Sequence, residues 1–365
     1  MTNDSSRSPD VLVIGAGLIG LACAAAAADR GFRVQVVGQA RVGEASLAAA
    51  GMLAPSIERG EGAASEFALA ARDRYPQYLA WLSERTGIDV PLNRDGIIQV
   101  AINDAGVRGL RRAMPPDALW LDQRQLIELE PALRHGLGGV FHAHDGAVDN
   151  VMLHEALSVA VSSHPRVEVT DDLITEMRFS PVVAAVGTTG VTYFGERAVL
   201  AAGAWSTTIG GLPRRLPVEP VRGQMISYDA MPLRRCVYGP TGYVVPRASG
   251  RTLVGATMER TGFESVTTAE GVDRLRRAAA EIIPAFASLD PVSAWAGLRP
   301  ISSDLQPILG ADPAEERLIY ATGHSRNGVL MTPLTADCIS AILAGEAPPA
   351  DISAFSIERF PDPEA

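Results

Sequence analysis

The clearest pattern in the sequence is an apolar run, a glycine-rich turn and a second apolar run within residues 11–28. Val11–Ile14 is uninterrupted and aliphatic, which predicts a strand buried on both faces of a parallel sheet. The alanine-rich segment Leu21–Ala28 predicts a helix that packs tightly on this strand. A second strand is predicted at Arg33–Val37, so the segment has the order of a strand–helix–strand unit.

Periodic patterns also predict the elements of the remaining chain. Apolar residues at helical spacing between Glu66 and Arg85 predict one long helix with a single buried stripe, which Pro76 is expected to bend or restart. Period-two alternation on both sides of residues 187–190 predicts a hairpin. Further strands are predicted at 96–101, 166–170, 198–203, 221–227, 242–246, 252–258 and 318–322, and further helices near 110–112 and at 123–129, 153–163, 272–283 and 332–344.

This order of elements predicts an α/β fold with two discontinuous domains. A chain of 365 residues is longer than an average single domain. We expect a Rossmann-like cofactor-binding domain formed by residues 1–85, 145–215 and 300–365. An inserted, mainly antiparallel α+β substrate domain is expected at 86–144 and 216–299. The chain is expected to return to the cofactor domain near Trp295–Pro300.

Composition favours a globular protein that acts on small molecules. Hydrophobic residues make up 47% and charged residues 20% of the sequence, which is typical of a folded enzyme. The net charge of -10 disfavours nucleic acid and anionic membrane as partners. Cys23, Cys236 and Cys338 show no CxxC spacing, which favours reduced thiols and a cytoplasmic location over a disulfide framework.

Two features that suggest a membrane span or a metal site have simpler interpretations. Residues 11–28 are uncharged and long enough to span a bilayer, but their glycines and turn chemistry favour a soluble strand and helix. The preceding segment lacks the basic part of a signal peptide, so we expect a frayed N-terminal tail and no membrane requirement. His142 and His144 have no second ligand cluster in the sequence, so we expect solvated loop histidines and no metal site.

The glycine-rich turn carries the pattern of a dinucleotide site. Gly15 permits a tight turn, Gly17 lets the backbone approach a pyrophosphate, and Gly20 brings the helix close to the strand. Leu18 and Ile19 lie in the first turn of the helix, where unpaired N–H groups and the helix dipole favour phosphate. An ordinary glycine-rich turn is the alternative, but the flanking strands and helix favour the dinucleotide interpretation.

The residues after the second strand depart from that pattern. Gly38 and Gln39 stand where a carboxylate is expected to hold a ribose hydroxyl. Arg41 lies nearby, which leaves open an NADP site in which a basic side chain meets a 2′-phosphate. The other interpretation is FAD held mainly by backbone groups, with weaker adenosine binding because the carboxylate is missing.

Residues 44–55 form a run of small side chains that lets the backbone approach a flat ring system. This run resembles the flavin-contacting loop of the glycine oxidases, in the FAD-dependent D-amino-acid oxidase family. The resemblance continues in the same order along nearly the whole chain, at Tyr243–Arg247, Gly255–Met258, Trp295–Pro300 and Gly323–Gly328. The sequence departs from the family at Gly38 and at Thr241–Gly242, where the family has a histidine near the active site.

The resemblance implies FAD as the cofactor and a set of residues around it. Leu173 is expected on the adenosine side, and the turn before residue 328 is expected to direct N–H groups and a helix dipole toward the flavin. His324 is expected either to contribute there or to pack and bond to backbone. The residues expected near FAD are Gly15, Gly17, Leu18, Ile19, Gly20, Gln39, Ala49, Ala50, Gly51, Met52, Leu173, His324, Arg326, Asn327, Gly328, Val329 and Leu330.

The resemblance also implies a site for an amino acid. An arginine fork can hold a carboxylate with two bonds, and Arg299 is the candidate, with a structural salt bridge as the alternative. Tyr243 is expected to close the site and bond the carboxylate or a water, unless it is a core tyrosine. Arg326 is expected to add charge near the carboxylate or flavin, unless it is an exposed loop arginine. Met258 is expected to shape the pocket rather than react.

The implied activity is oxidative deamination of glycine or another small amino acid by an oxidase of the thiamine-pathway type. Dioxygen is the expected acceptor, and the products are hydrogen peroxide, ammonia and an imino acid that hydrolyses to a keto or aldehyde acid. Alternatives left open are an FAD-dependent dehydrogenase with another acceptor, an NADP-dependent reductase, and a flavin-binding protein without turnover. The expected partners are the amino acid and dioxygen, with a homo-oligomer left open.

Overall fold

The computed structural model describes residues 9–58 and 62–361. Most of the N-terminal tail that was expected to be frayed lies outside the described residues. Along the described chain the strands are β1 Val11–Ile14, β2 Val34–Val37, β3 Met52–Leu53, β4 Leu92–Asn93, β5 Ile97–Ala101, β6 Leu119–Asp122, β7 Gly138–His142, β8 Gly146–Val148, β9 Val167–Thr170, β10 Ile174–Arg178, β11 Val183–Gly187, β12 Thr192–Gly195, β13 Arg197–Leu200, β14 Val218–Tyr228, β15 Cys236–Tyr238, β16 Tyr243–Pro246, β17 Thr252–Gly255, β18 Ser293–Ser302, β19 Ile308–Ala311 and β20 Leu318–Thr322.

The helices occupy most of the segments predicted from periodicity. They are α1 Leu18–Asp29, α2 Ala45–Ala48, α3 Ala63–Thr86, α4 Asp104–Ala113, α5 Gln123–Leu129, α6 Asn150–Ser162, α7 Ala269–Ile282 and α8 Gly328–Leu343. Short 3-10 segments follow at Pro131–Leu133, Gly203–Thr208, Pro284–Ser288, Ser353–Phe355 and Ile357–Arg359.

Six of the described strands form a mostly parallel sheet in the order β19-β20-β13-β1-β2-β9. Only β19 runs antiparallel to its neighbour, and β1 pairs in parallel with β13 and β2. Successive side chains of β1 point to opposite faces of this sheet, so they pack against the two different layers that cover it. Val11 and Val13 pack with the helices α1, α3, α6 and α8, whereas Leu12 and Ile14 pack with the antiparallel sheet β10-β11-β12. The predicted Rossmann-like α/β fold is confirmed.

Eight described strands form a second sheet in the order β18-β14-β17-β16-β15-β5-β7-β6. Every pairing in it is antiparallel except that of β15 with β5, and α7 packs on one face. The predicted return point of the chain, Trp295–Pro300, lies in β18, which pairs with β14 over ten residues from Val218 to Ser227. The chain enters the six-stranded sheet shortly afterwards, at β19 Ile308–Ala311. The domain boundaries themselves stay a prediction.

Two of the described helices contain an internal proline. Pro76 lies inside α3, which runs continuously to Thr86 rather than restarting. Helix α8 begins at Gly328, four residues before the predicted start, and it contains Pro333. A proline removes one N–H bond, but both helices bury a long apolar stripe, and that packing holds the helix together. Among the described helices, none combines the length and the apolar surface that a bilayer-spanning segment needs.

Candidate active site

A cavity of about 440 Å³ lies where the carboxyl ends of β1, β2, β13 and β20 face the second sheet. Ligands of parallel α/β sheets bind at this edge, and the volume is that of a small-molecule site. Gly20 and Leu330 do not line it, because Gly20 packs against the Gly15 carbonyl and Leu330 is buried in the core. The predicted residues that do line it are Gly15, Gly17, Leu18, Ile19, Gln39, Ala49, Ala50, Gly51, Met52, Leu173, Tyr243, Met258, Arg299, His324, Arg326, Asn327, Gly328 and Val329.

The glycine turn places the start of α1 against the cavity. Gly15 has a φ of 112°, and a Cβ there would lie 2.4 Å from the Ala201 carbonyl oxygen. The N-cap residue Gly17 makes no side-chain capping bond. The Leu18 N–H instead donates to Ser46 Oγ over 3.0 Å, a contact that sequence reasoning missed. The turn therefore presents helix N–H groups to the cavity, as an anion site requires.

Gly38 has a structural reason for being glycine. A Cβ at this position would lie 2.5 Å from the Ala16 backbone nitrogen, so any side chain forces the glycine turn to move. The nearby Arg41 guanidinium lies 4.7 Å above the Trp205 ring, and burial lowers the pKa of Arg41. A half-buried carboxylate, Glu44, also lines this part of the wall, and burial raises its pKa. Sequence reasoning did not single out Glu44 or Trp205.

Leu173 is held in the cavity wall by the buried carboxylate that precedes it. Asp172 is 2% exposed and accepts hydrogen bonds from Thr188 Oγ1 at 2.8 Å, Thr189 Oγ1 at 2.5 Å and Tyr193 Oη at 2.9 Å. Burial alone would raise the pKa of Asp172, but these bonds and one from the Leu173 N–H hold it well below the ordinary value. Asp172 thus ties the wall segment to the β11–β12 hairpin.

The small-residue loop at 45–52 is fixed by long polar side chains from elsewhere in the chain. Arg247 is 8% exposed and donates to the Val148 carbonyl at 2.7 Å, to the Ala50 carbonyl at 3.2 Å and to Asn150 Oδ1 at 2.5 Å. Asn150 in turn donates to the Ser46 carbonyl at 2.8 Å. Ser46 is the one hydrogen-bonding side chain of this loop, so most of the side-chain bonds that position it come from Arg247 and Asn150.

A second helix begins at the cavity. The N-cap of α8 is Asn327, which makes no side-chain capping bond, so the first N–H groups of this helix face the cavity together with Gly328 and Val329. His324 is 2% exposed and its Nε2 lies 3.1 Å from Thr335 Oγ1. Burial lowers the pKa of His324 to about 3, so the ring is neutral at physiological pH and supplies no cation.

Arg299 reaches the cavity from β18 without an acidic partner. Its Nη1 donates to the Thr257 carbonyl over 3.2 Å, and no carboxylate of the described residues lies within ion-pair distance. A Cβ on the facing Gly223 would lie 2.0 Å from Nη1, so the glycine makes room for the guanidinium. The alternative of a structural salt bridge finds no partner within residues 9–58 and 62–361. Arg299 is a cation available to an anionic ligand.

Tyr243 lies beside Arg299 in the same wall. Its hydroxyl is 3.6 Å from Met225 Sδ, and burial raises its pKa, with smaller opposing effects from Arg299 and Arg326. The phenol is therefore protonated and able to donate a hydrogen bond.

Arg326 differs from Arg299 because it already has a carboxylate partner. Its Nη2 lies 2.5 Å from Glu58 Oε1, and the Tyr238 hydroxyl donates to the same oxygen over 3.0 Å. Arg326 lies in a turn with 45% of its side chain exposed, as the exposed-loop alternative expects, but its guanidinium is also paired with Glu58 and borders the cavity. Met258 lines the mouth of the cavity and is 53% exposed. Sequence reasoning missed Glu58 because nothing in the local sequence links it to a residue 268 positions away.

The geometry fits FAD. Two helices whose N-cap residues make no side-chain capping bond border one cavity, and the glycine turn has close backbone contacts that leave no space for a side chain. Such N–H groups suit a pyrophosphate at one helix and an electron-rich ring edge at the other. Within the described residues, no group of three or more His, Cys, Asp and Glu side chains is arranged to hold a metal ion.

Comparisons with known proteins agree with this geometry. The family model described as DAO, FAD dependent oxidoreductase, matches residues 10–342. Glycine oxidase of Geobacillus kaustophilus is 32% identical over 96% of this chain and 97% of its own length. The crystal structure of glycine oxidase from the same organism superposes with a TM-score of 0.90 at 30% identity, covering 98% of this chain and all of that one.

A second group of relatives is longer. The bifunctional protein ThiO/ThiG of Synechocystis sp. is 35% identical over 96% of this chain, which matches 54% of that protein. This chain therefore spans about half the length of the bifunctional relatives and nearly all of the glycine oxidases it matches.

Proposed function

This chain belongs to the DAO family of FAD-dependent oxidoreductases, and from that premise we propose that it oxidises glycine or another small amino acid with dioxygen. The amine of the substrate becomes an imine, which water hydrolyses to a keto or aldehyde acid and ammonia. Dioxygen takes up the two electrons and two protons as hydrogen peroxide. FAD, when bound, would supply the chemistry of accepting from the substrate carbon a hydride, which carries both electrons.

The residues that would hold FAD come from the elements around the glycine turn. The N-terminus of α1 with Gly15 and Gly17 would meet the pyrophosphate, and the wall at Leu173 would meet the adenosine. The loop Ala49–Met52 and the N-terminus of α8 would border the ring system. The NADP alternative required Arg41 to meet a 2′-phosphate. Arg41 instead stacks on Trp205, and the family uses FAD, so neither observation supports that alternative.

The unpaired cation of Arg299 is the observation that carries the proposal. An amino acid has a carboxylate that must be fixed so that its Cα hydrogen is presented in one orientation, and a planar guanidinium can do so with two bonds. Arg299 lies in the cavity with no acidic partner among the described residues, next to the protonated hydroxyl of Tyr243. A monocarboxylate with an adjacent amine matches this pair of donors.

The proposed reaction does not require a general base. An amine that binds in its neutral form has a lone pair that assists loss of hydride, so the protein contributes orientation and electrostatics. The α8 N-terminus lies where it would stabilise negative charge, while His324 stays neutral and packs the turn. The three cysteines are buried and unpaired, which supports a reducing, cytoplasmic location.

One experiment tests the proposal in two stages. The holoenzyme is mixed with glycine, and then with other small amino acids, without oxygen, and bleaching of the flavin absorbance is followed. Air is then admitted and peroxide is measured. Bleaching followed by peroxide is expected. Failure of every small amino acid to bleach the flavin contradicts the proposed substrate class, and bleaching without peroxide replaces the oxidase by a dehydrogenase.

A further inference from the structure

We infer that Glu58 is a specificity residue that restricts the substrate end of the cavity to amines with a single carboxylate. The inference rests on the proposed function, since it concerns which small amino acids Arg299 and Arg326 accept. It goes beyond that function by assigning a role to the carboxylate that holds Arg326, one of the two arginines at the substrate end of the cavity.

The first step of the argument is the contact itself. Arg326 Nη2 and Glu58 Oε1 are 2.5 Å apart, and both residues line the cavity. The Glu58 side chain is 15% exposed, whereas that of Arg326 is 45% exposed. The arginine therefore keeps part of its surface open to the cavity and solvent, while the carboxylate that neutralises it is largely covered.

The second step is that Glu58 is held in place by more than its charge partner. The Tyr238 hydroxyl donates to Glu58 Oε1 over 3.0 Å, and burial, then the nearby Glu58 charge, raises the pKa of Tyr238 well above its ordinary value. The rings of Tyr238 and Tyr243 are 5.4 Å apart, so the same aromatic pair borders the carboxylate and the candidate substrate site. Glu58 is thus a built part of this wall.

The third step is the charge balance. Arg299 contributes one positive charge without a partner, and Arg326 and Glu58 cancel. A net charge of +1 complements an amino acid with a neutral amine and one carboxylate. An amine with two carboxylates carries -2 in the same state, and its second carboxylate has to compete with Glu58 for Arg326. Placing two carboxylates near one guanidinium is costly in a partly buried site.

Two substitutions should therefore shift selectivity in opposite directions. Glu58→Gln keeps an oxygen that accepts from Tyr238 but frees the charge of Arg326, so binding of a dicarboxylate should improve relative to a monocarboxylate. Arg326→Gln leaves the charge of Glu58 without its partner, so the same ratio should fall below that of the wild type. A purely structural role for the pair would lower both affinities without opposite changes in the ratio.

The experiment uses holoenzymes and two readouts. Dissociation constants for malonate and acetate are measured from perturbation of the flavin spectrum, which needs no turnover. Values of kcat/KM are compared for iminodiacetate and N-ethylglycine, which are secondary amines of similar size with and without the second carboxylate. Glu346→Gln, which removes the acid of the distant surface pair with Arg30, is the matched control.

For Glu58→Gln we expect the malonate-to-acetate affinity ratio and the iminodiacetate-to-N-ethylglycine ratio to rise about tenfold or more, because such a factor corresponds to one freed charge partner. Arg326→Gln should lower the first ratio, and Glu346→Gln should leave both unchanged. Ratios within about twofold of the wild type overturn the inference, including the case in which iminodiacetate and N-ethylglycine gain equally, because the effect of Glu58 would then not depend on the second carboxylate.

Failure of the proposed function gives a different result. If the wild type is not reduced by any small amino acid, the proposed function fails, while the malonate and acetate titrations still test the charge arrangement. If Glu58→Gln does not retain FAD, Arg326→Gln decides, and an unchanged or raised malonate-to-acetate ratio in that variant overturns the inference.

Discussion

At the scale of single residues, Arg299 is the side chain on which the proposed substrate class depends. Arg299→Ala should leave FAD bound and reduce kcat/KM for amino acids by roughly 30-fold to several thousand-fold, since a buried charge partner is worth about 2 to 5 kcal/mol. Arg299→Lys should recover part of the loss, because an ammonium lacks the planar two-bond grip. Steady-state kinetics with amino acids and with amines lacking a carboxylate measure this.

Arg260 offers a control for the Arg299 substitutions. It is 75% exposed and paired with Glu219 on the surface, so Arg260→Ala should change neither activity nor FAD content. An Arg299→Ala variant that loses activity equally on amines and amino acids would indicate a structural role, because the loss would not depend on the carboxylate.

Gly38 illustrates how the structure changes an expectation. From sequence, the missing ribose carboxylate suggests that Gly38→Glu should strengthen FAD binding. The structure indicates the opposite, because a Cβ there meets the Ala16 nitrogen at 2.5 Å. Gly38→Ala should already weaken FAD binding and lower the unfolding temperature, measured by flavin fluorescence and thermal unfolding.

Gly109 is the matched control for Gly38. It lies in α4, and a Cβ there would have nothing within 4 Å. Gly109→Ala should leave FAD affinity unchanged and stabilise slightly, because alanine favours a helix by up to about 1 kcal/mol. Unchanged FAD affinity in Gly38→Ala would show that the turn adjusts at little cost. The missing ribose carboxylate would then again be the expected reason for weak adenosine binding.

At the scale of elements, Asp172 links the cavity wall to the β11–β12 hairpin. Asp172→Asn removes the charge that its hydroxyl donors surround, and we expect a loss of roughly 1 to 3 kcal/mol in the free energy of unfolding near neutral pH. FAD affinity should fall as well, because Leu173 and Ile174 line the cavity. Chemical denaturation and FAD titration measure the two effects.

The pH dependence of the Asp172 effect has a defined sign. Hydrogen bonds hold its folded-state pKa below the ordinary carboxyl value, despite the opposing effect of burial. Its stabilisation is therefore fully present above about pH 4, the ordinary value, and is lost as the pH falls toward the folded pKa. The difference between wild type and Asp172→Asn should shrink below about pH 4, and a difference that grows there would contradict the assignment.

Arg247 connects the second sheet to the small-residue loop. Arg247→Lys should lower FAD affinity and stability, because an ammonium cannot reach the Val148 and Ala50 carbonyls and Asn150 together. The expected loss is about 1.5 to 3 kcal/mol, the range for hydrogen bonds from a charged group. Arg251→Lys, at an exposed position in the following turn, is the control, and equal effects in both variants would contradict a positioning role.

The sequence predicted elements better than it predicted their partners. Periodicity located α5 and the hairpin β11–β12, and the glycine turn located the cavity, because these features depend on neighbouring residues. The same patterns did not predict that Trp295–Pro300 pairs with β14, since an apolar strand does not encode which strand it will pair with. No role was predicted for Glu58 or Arg247 for the same reason, as their contacts join distant parts of the chain.

At the scale of the whole molecule, the cavity is the place where the two large sheets meet. The glycine turn and α8 border it from the six-stranded sheet, and Arg299 and Tyr243 reach it from the eight-stranded sheet. The α2 segment also contacts β18, so the small-residue loop packs against both parts. A ligand that fills this cavity contacts residues of both sheets and should therefore couple their stability.

This arrangement predicts that removal of FAD destabilises the entire protein rather than one part of it. A cofactor that binds only the folded state stabilises it by about 2.7 kcal/mol when its concentration is one hundred times the dissociation constant. Deflavinated protein should unfold at a lower temperature in calorimetry, and added FAD should raise that temperature progressively with concentration. Arg299→Ala protein should show the same rise, because Arg299 is assigned to the substrate and not to FAD. Limited proteolysis of the apoprotein should also open the segments 39–52 and 256–267 first, since they border the cavity from the two sheets. Equal unfolding temperatures with and without FAD would mean that the two sheets are held together by their protein contacts alone.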